Sequence, residues 1–311
     1  MTAMRAVRQD ELGGPEVLRL VKAERPEPAY GEILVKVHAA GLNPVDGKVR
    51  ADGGLSGEAP PYGVGWDVSG TVAAVGPGVQ RFRVGEGVYG MPRFPVSVGA
   101  YAEYVTGPTR HFSPKPAGLS HVEAAALPLA GLTAYQSLVD FAQIRAGQRV
   151  LVHAAAGGVG HLAVQLAKAK GAFVIGTASA AKHDYLKGIG ADEVVDYTAV
   201  DFAAVVGEVD IVLDGVGGDY SRRSAPIVRD GGVLVMLPGP VDLPESEHAR
   251  IRAGWNAVEP DPLGLAALTE LVEAGKLKPT VSQTFGLEDA AKAHELLDSG
   301  RTIGKIVLTV A

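Results

Sequence analysis

The segment Ala155-Ala156-Gly157-Gly158-Val159-Gly160 lies between the apolar run Val150-Leu151-Val152 and an amphipathic stretch that ends at Lys170, before Gly171. A glycine turn in that setting has the chemistry to hold a dinucleotide. Glycine lets the backbone close on a pyrophosphate, and the first amides of the helix that follows point at its charge. Against the pattern G-x-G-x-x-G the first glycine is Ala155, while Gly157 and Gly160 stand in place. A plain tight turn can carry the same letters. The strand-turn-helix context, with four strand-like runs downstream, favours the phosphate, with Gly157, Gly158, Val159 and Gly160 as its candidate residues.

An NAD site places an Asp or Glu about 20 residues further on, for the ribose 2′-hydroxyl. Here that place reads Thr177-Ala178-Ser179-Ala180-Ala181-Lys182-His183. With no acid there a 2′-phosphate is not repelled; Ser179 can donate to it and Lys182 can supply a positive charge, which favours NADP over NAD. The alternative is that Ser179 caps the next helix and Lys182 is a solvated lysine, although the helix dipole disfavours a cation in a first turn.

The chain has 311 residues and no cysteine. This excludes disulfides, thiolate nucleophiles, iron-sulfur clusters and sulfur-ligated zinc, and leaves His, Asp and Glu as possible metal ligands. The eight His are scattered singly, so no metal site is expected and redox chemistry has to come from a bound cofactor. The 29 Lys+Arg against 35 Asp+Glu form no basic cluster, which argues against non-specific nucleic-acid binding. The first residues, Met1-Thr2-Ala3-Met4-Arg5, open no apolar signal core, and no run reaches the ~18 apolar residues of a membrane helix; a cytoplasmic protein with no membrane partner is expected.

The elements that must position these residues change character along the chain. Up to about residue 115, short β-type runs are separated by Gly and Pro turns: Glu32-Ile33-Leu34-Val35-Lys36-Val37-His38, residues 68 to 75, Gly87-Val88-Tyr89 and Ala102-Glu103-Tyr104-Val105. A strand-rich unit, a partly open barrel, is expected there. From about Glu123 strands at 149 to 154, 173 to 177, 193 to 195, 210 to 213 and 232 to 236 alternate with helices, one of them over 158 to 170, which implies βαβ units and a parallel sheet. The tail reads as a helix over 262 to 274, a strand over 280 to 285, a helix over 288 to 299 and a last strand, Lys305-Ile306-Val307-Leu308. With the parallel sheet complete by about residue 257, that last strand is expected to join the first unit.

Several segments carry a resemblance over nearly the whole chain. They are Ala39-Ala40-Gly41-Leu42-Asn43-Pro44-Val45-Asp46, Gly65-Trp66-Asp67-Val68-Ser69-Gly70, Gly99-Ala100-Tyr101-Ala102-Glu103-Tyr104, Leu127-Pro128-Leu129-Ala130-Gly131-Leu132-Thr133-Ala134-Tyr135, the glycine turn and Gly304-Lys305-Ile306-Val307-Leu308. Together they resemble the zinc-free quinone oxidoreductase (zeta-crystallin-like) branch of the medium-chain dehydrogenase/reductase superfamily. The resemblance implies an α/β chain with a GroES-like partly open β-barrel domain and a Rossmann, doubly wound parallel-sheet domain. Residues 1–124 would be the first segment of the catalytic domain, 125–262 the NADP-binding domain and 263–311 the returning catalytic segment. Zinc-dependent members carry a cysteine ligand in the first segment and Gly-His-Glu in the second; Asn43 and Trp66 stand at the cysteine and histidine positions.

The resemblance also implies roles. Asn43 looks like the side chain that hydrogen-bonds in the nicotinamide-substrate pocket, and Thr133 like a neighbour of the nicotinamide. Ser179, Lys182 and Tyr197 match positions that grip the 2′-phosphate of NADPH, with Arg301 and Lys305 as further candidates. Each has a plainer alternative: Asn43 and Asp46 shaping a turn before Pro44, Tyr197 an edge aromatic, Lys305 a surface charge. Trp66 is bulkier than expected, filling the volume vacated by zinc or narrowing the substrate pocket. Residues 51 to 58 lack the tyrosine often found there, which leaves Tyr62 as the nearest phenol and candidate proton donor. The implied activity is hydride transfer from NADPH to a quinone or similar conjugated carbonyl, without a metal, by a homodimer joined through the sheet edge near residues 253 to 258. Reduction of an enone or alkene remains an alternative, as does an NADPH-binding protein with a sensing, structural or nucleic-acid-binding role and little turnover.

Overall fold

The computed structural model describes residues 2–54, 57 and 59–310, so Leu55, Ser56 and Glu58 of the tyrosine-free stretch lie outside it. The chain divides into two compact units: unit 1 is Met1–Leu132, Glu259–Glu273 and Pro279–Ala311, and unit 2 is Thr133–Val258 and Ala274–Lys278.

Unit 1 opens with eight strands: β1 (Ala3–Gln9), β2 (Arg19–Glu24), β3 (Glu32–Gly41), β4 (Tyr62–Gly63), β5 (Asp67–Val75), β6 (Gly87–Gly90), β7 (Tyr104–Pro108) and β8 (Phe112–Pro114). Helix α1 (Pro44–Asp52) follows β3, and α2 (His121–Ala125) and α3 (Pro128–Tyr135) follow β8. Unit 2 supplies β9 (Arg149–Val152), β10 (Phe173–Ala178), β11 (Glu193–Asp196), β12 (Val209–Asp214), β13 (Val228–Met236) and β14 (Arg252–Trp255). Helices α4 (Gly160–Ala169), α5 (His183–Gly188), α6 (Phe202–Val205), α7 (Asp219–Ser224) and α8 (Glu245–Arg250) alternate with these strands. The chain then returns to unit 1 with α9 (Pro262–Glu273), β15 (Val281–Gly286), α10 (Ala290–Asp298) and β16 (Lys305–Thr309).

In unit 2 the six strands are all parallel in the order β11-β10-β9-β12-β13-β14. Numbered within the unit this is 3-2-1-4-5-6, the doubly wound order, whose switch point falls between β9 and β12. The centres of β9, β10 and β12, Val150-Leu151-Val152, Val174-Ile175 and Ile211-Val212-Leu213, are apolar and buried, as expected of strands in a parallel sheet covered on both faces. Leu151, Ile175, Val212 and Leu234 of four adjacent strands share one buried cluster with Phe202 and Val206.

Unit 1 has a larger sheet in the order β15-β16-β3-β5-β6-β8, with β7 also on β3, and a small sheet β2-β1-β4. Strand β3 pairs antiparallel with β5, with Gly41 opposite Asp67, and with β16, with Gly41 opposite Val307. The small sheet was not anticipated: β2 is partly exposed throughout its length and β4 has two residues, so neither carries an apolar periodicity. No helix among the described residues is long and apolar enough to cross a membrane.

Candidate active site

The turn after β9 is tighter than a strand reaching residue 154 would allow, because Ala154 takes a φ of +50°. Its carbonyl accepts from the Gly157 amide at 2.9 Å, and the Ala155 amide is anchored to the Thr177 carbonyl at 3.1 Å. Gly160 opens α4 against this turn. A Cβ there would lie 2.3 Å from the Ala154 oxygen and 2.7 Å from the Ala155 Cα, so the approach of helix to strand admits only glycine. Gly157, Gly158 and Val159 remain partly exposed while Ala155 and Ala156 are buried. The turn thus presents a row of backbone amides at the N-terminus of a ten-residue helix, where an anion is stabilised, and it fits a dinucleotide diphosphate.

Residues at the ends of the next two strands are brought side by side. Ala178 of β10 pairs with Asp196 of β11, so Ser179 and Tyr197 continue from adjacent strand ends. Ser179 occupies the cap position of a short 3-10 turn, Ala180–Lys182, yet its hydroxyl makes no capping bond. Tyr197 is 48% exposed, and Lys182 is half-buried, with burial pushing its ammonium below its ordinary range. One acid that a reading of the β10 end overlooks, Asp196, is close in register, but its Oδ1 accepts from the Thr198 amide at 2.9 Å and the Thr198 hydroxyl at 2.6 Å. On the other side of the switch point, buried Asp214 shapes the loop after β12. Its Oδ1 accepts from the amides of Val216 (2.8 Å) and Gly217 (2.9 Å), and its Oδ2 from the Ser221 hydroxyl (2.6 Å). Thr133 is buried within α3.

In unit 1 the end of β3 delivers Asn43. Gly41 lets the strand pass the Ala125 carbonyl, which a Cβ would meet at 2.3 Å, and Asn43 then stands as N-cap of α1 with Pro44 at its first position. Asp46, three residues on, accepts from the Asn43 amide at 2.7 Å, the reciprocal half of a capping box. The Asn43 side chain does something else: its Nδ2 donates to Asp67 Oδ2 at 2.9 Å and its Oδ1 accepts from the Lys305 ammonium. Lys305 also donates to the Leu42 carbonyl at 2.5 Å and lies 3.4 Å from Asp67 Oδ2. Asp67 Oδ1 accepts from the Leu129 amide at the start of α3, 2.8 Å away. The register of three neighbouring strands explains the meeting: Asp67 begins β5, Lys305 begins β16, and Asn43 leaves β3 between them.

Burial sets the electrostatics of this cluster. It raises the carboxyls of Asp67 and Asp46, the latter to about 7, and lowers the Lys305 ammonium; the attraction between Asp67 and Lys305 opposes both of that pair's shifts. Tyr101 donates to Asp46 Oδ2 at 2.6 Å, and burial pushes its own ionisation well up.

Two assignments from the sequence change. Lys305 is 3% exposed, and its ammonium is spent on oxygens of unit 1, so it is neither a surface charge nor available to a 2′-phosphate. Tyr62 is 6% exposed, and its hydroxyl proton goes to the Val49 carbonyl at 2.8 Å; it fastens β4 to α1, which is a poor place for a proton donor to substrate. Trp66 is 1% exposed, donates from Nε1 to the Val96 carbonyl at 2.8 Å and meets Phe94 edge-on at 5.1 Å. Sequence reasoning did not single out Asp67, although a charged residue opening an apolar strand beside Trp66 was a visible signal.

A zinc ion does not fit these donors. An indole N–H has no lone pair to offer, and the Asn43 oxygen faces a cation. Among the described residues no group of three or more His, Cys, Asp or Glu is disposed to hold a metal.

Two family models match the chain: the alcohol dehydrogenase GroES-like domain over residues 29–117 and the zinc-binding dehydrogenase over residues 189–308. The chain is 35% identical over 316 residues to 2-methylene-furan-3-one reductase of Solanum lycopersicum, covering 98% of this chain and 79% of that one. Among solved structures, the quinone oxidoreductase from Coxiella burnetii superposes with a TM-score of 0.92 at 39% identity, covering 100% of both chains. A mycobacterial protein complexed with NADPH superposes with a TM-score of 0.88 at 33% identity, covering 98% of this chain and 99% of that one.

Proposed function

The chain belongs to the quinone oxidoreductase branch of the medium-chain dehydrogenase/reductase superfamily and is an oxidoreductase, and from that premise we propose that it passes hydride from NADPH to a quinone or similar conjugated carbonyl without a metal ion. The observation that carries the cofactor choice is the end of β10. Ser179 there has a hydroxyl free of capping, Lys182 follows within one turn, and Tyr197 stands on the adjoining strand end.

When bound, NADPH supplies a hydride from its nicotinamide ring. The amides of Gly158 and Val159 and the α4 N-terminus would hold the diphosphate, with Gly157 shaping the turn through its own bond to the Ala154 carbonyl and Gly160 letting the helix approach closely enough to do so. Ser179 and Tyr197 donate to the 2′-phosphate, and Lys182 neutralises it. Thr133 borders the nicotinamide. Asn43 would donate to an oxygen of the substrate, where enolate or hydroquinone-anion charge develops. Orientation of the acceptor carbon is the main contribution of the protein, since the reduced quinone oxygen takes its proton from water.

A relative named as a 2-methylene-furan-3-one reductase favours enones as a second acceptor class. The exposed edge of β14, with Trp255 39% exposed, supports a homodimer formed across that edge. The test is NADPH oxidation by the purified chain against a quinone panel beside an enone panel. Turnover is expected with quinones, and consumption with neither panel would leave a binding protein. Lys182→Ala should weaken NADPH about tenfold, the loss of one charge-assisted contact, and leave NADH unchanged; an equal loss for both would overturn the phosphate assignment.

A further inference from the structure

Asn43 carries two chemically unlike ends: Oδ1 only accepts and Nδ2 only donates. Oδ1 faces the Lys305 ammonium, which has no lone pair, and Nδ2 faces the Asp67 carboxylate, which when ionised has no proton. Turning the carboxamide over would set N–H against the ammonium and C=O against the carboxylate. Both contacts would be repulsive, in a place where Asn43, Asp67 and Lys305 are 2%, 0% and 3% exposed and water cannot screen them. The partners are themselves held, Lys305 by the Leu42 carbonyl at 2.5 Å, Asp67 by the Leu129 amide at 2.8 Å, and the Asn43 backbone by Asp46 at 2.7 Å. An amide nitrogen has two N–H bonds, and Asp67 takes one.

We propose that Lys305 and Asp67 are positioning residues for Asn43: they lock its carboxamide as a donor and direct the remaining N–H at an accepting oxygen of the bound reactants, a carbonyl or the oxyanion that develops from it. This rests on the reading that Asn43 borders the reacting oxygen of the substrate. The cation on Oδ1 also draws electron density from the nitrogen, which makes the N–H a stronger donor than that of a solvated asparagine. A reactant that presents only a donor at this point gains nothing from Asn43.

The test compares Asn43→Ala, Lys305→Met and the two combined in the full-length chain. Turnover with a quinone is measured with NADPH and with NADH, and the Kd of NADPH is read by quenching of tryptophan fluorescence. Asn43→Ala is expected to lower kcat about tenfold to hundredfold, the effect of losing one aligned donor. Lys305→Met should produce most of that loss although Asn43 is intact, with NADPH and NADH affected alike. The combined variant should lie within about twofold of Asn43→Ala alone, and the Kd should change by one common factor in all three, because Lys305 acts through Asn43. Losses that multiply in the combined variant, an unchanged kcat in Lys305→Met, or a loss confined to NADPH would each overturn the proposal while leaving the role of Asn43 intact. An unchanged kcat in Asn43→Ala would instead overturn the reading on which it rests. Where Lys305→Met does not fold, Lys305→Met with Asp67→Asn, which removes both buried charges, takes its place with the same expectations.

Discussion

The turn after β9 in unit 2 and the Asn43 cluster in unit 1 are built from different materials. The turn is made of backbone: Gly158 and Val159 offer amides, and the most demanding contact is the close approach at Gly160. The cluster is made of side chains: Asp46, Asp67 and Lys305 are buried charged or titratable groups whose desolvation is offset only while every partner is present. Backbone sites tolerate the loss of most side chains and fail on the gain of a methyl group. Buried ionic sites fail in the opposite way, on the loss of one member.

The sharpest way to break that contrast is Lys305→Met. Leaving Asp67 buried without its cation should lower unfolding free energy by about 3 to 5 kcal/mol in urea, and adding Asp67→Asn should return most of it. If Lys305→Met costs nothing, the cluster is not ionic and the contrast falls.

A second test uses pH. Burial raises Asp46 from 3.8 to about 7 against the hydrogen bonds from Tyr101 and the Asn43 amide. The folded chain therefore binds this proton more tightly than the unfolded chain. Its contribution is full below about pH 4 and is lost as pH rises through about 7, by about 2 kcal/mol between pH 5 and pH 7. His294, held at about 3 by burial and by Arg50, works in the other direction: its contribution is full above the ordinary 6.5 and is lost as pH falls towards 3. Urea unfolding of Asp46→Asn and the unchanged chain at both pH values separates the two, and the variant should gain about 2 kcal/mol on the unchanged chain from pH 5 to pH 7. Parallel profiles would show Asp46 titrating as an exposed acid does.

Gly160→Ala probes the backbone side. The added Cβ, 2.3 Å from the Ala154 oxygen, should cost about 2 kcal/mol in thermal unfolding and reduce NADPH affinity together with NADH affinity, since the diphosphate is common to both. The smallest effect is expected from Tyr62→Phe, about 1 kcal/mol of stability for the bond to Val49 and no change in turnover. A fall in kcat there would return Tyr62 to the chemistry.

Local order explains what could be read ahead of the structure. The strands at 149 to 152 and 173 to 178 and the glycine turn between strand and helix are consecutive residues obeying one periodicity and one steric demand. Asn43 was visible for a similar reason, sitting before Pro44 with Asp46 three residues on. Its partner Lys305 lies 262 positions away, and nothing in its neighbourhood of the chain shows what its ammonium touches, so by sequence it reads equally as a phosphate ligand or a surface charge. Tyr62 misled in the same manner: a phenol is evident in a sequence, but the carbonyl that receives its proton is not.

Sequence alone thus determined the alternation of strands and helices in unit 2, the place of the glycine turn and the absence of thiol chemistry, all of which depend on residue type and near-neighbour spacing. Only the tertiary structure decided that Asp67 and Lys305 meet across Asn43. That meeting depends on the register of β16, β3 and β5, three strands remote in the chain whose pairing is set by burial of their shared face.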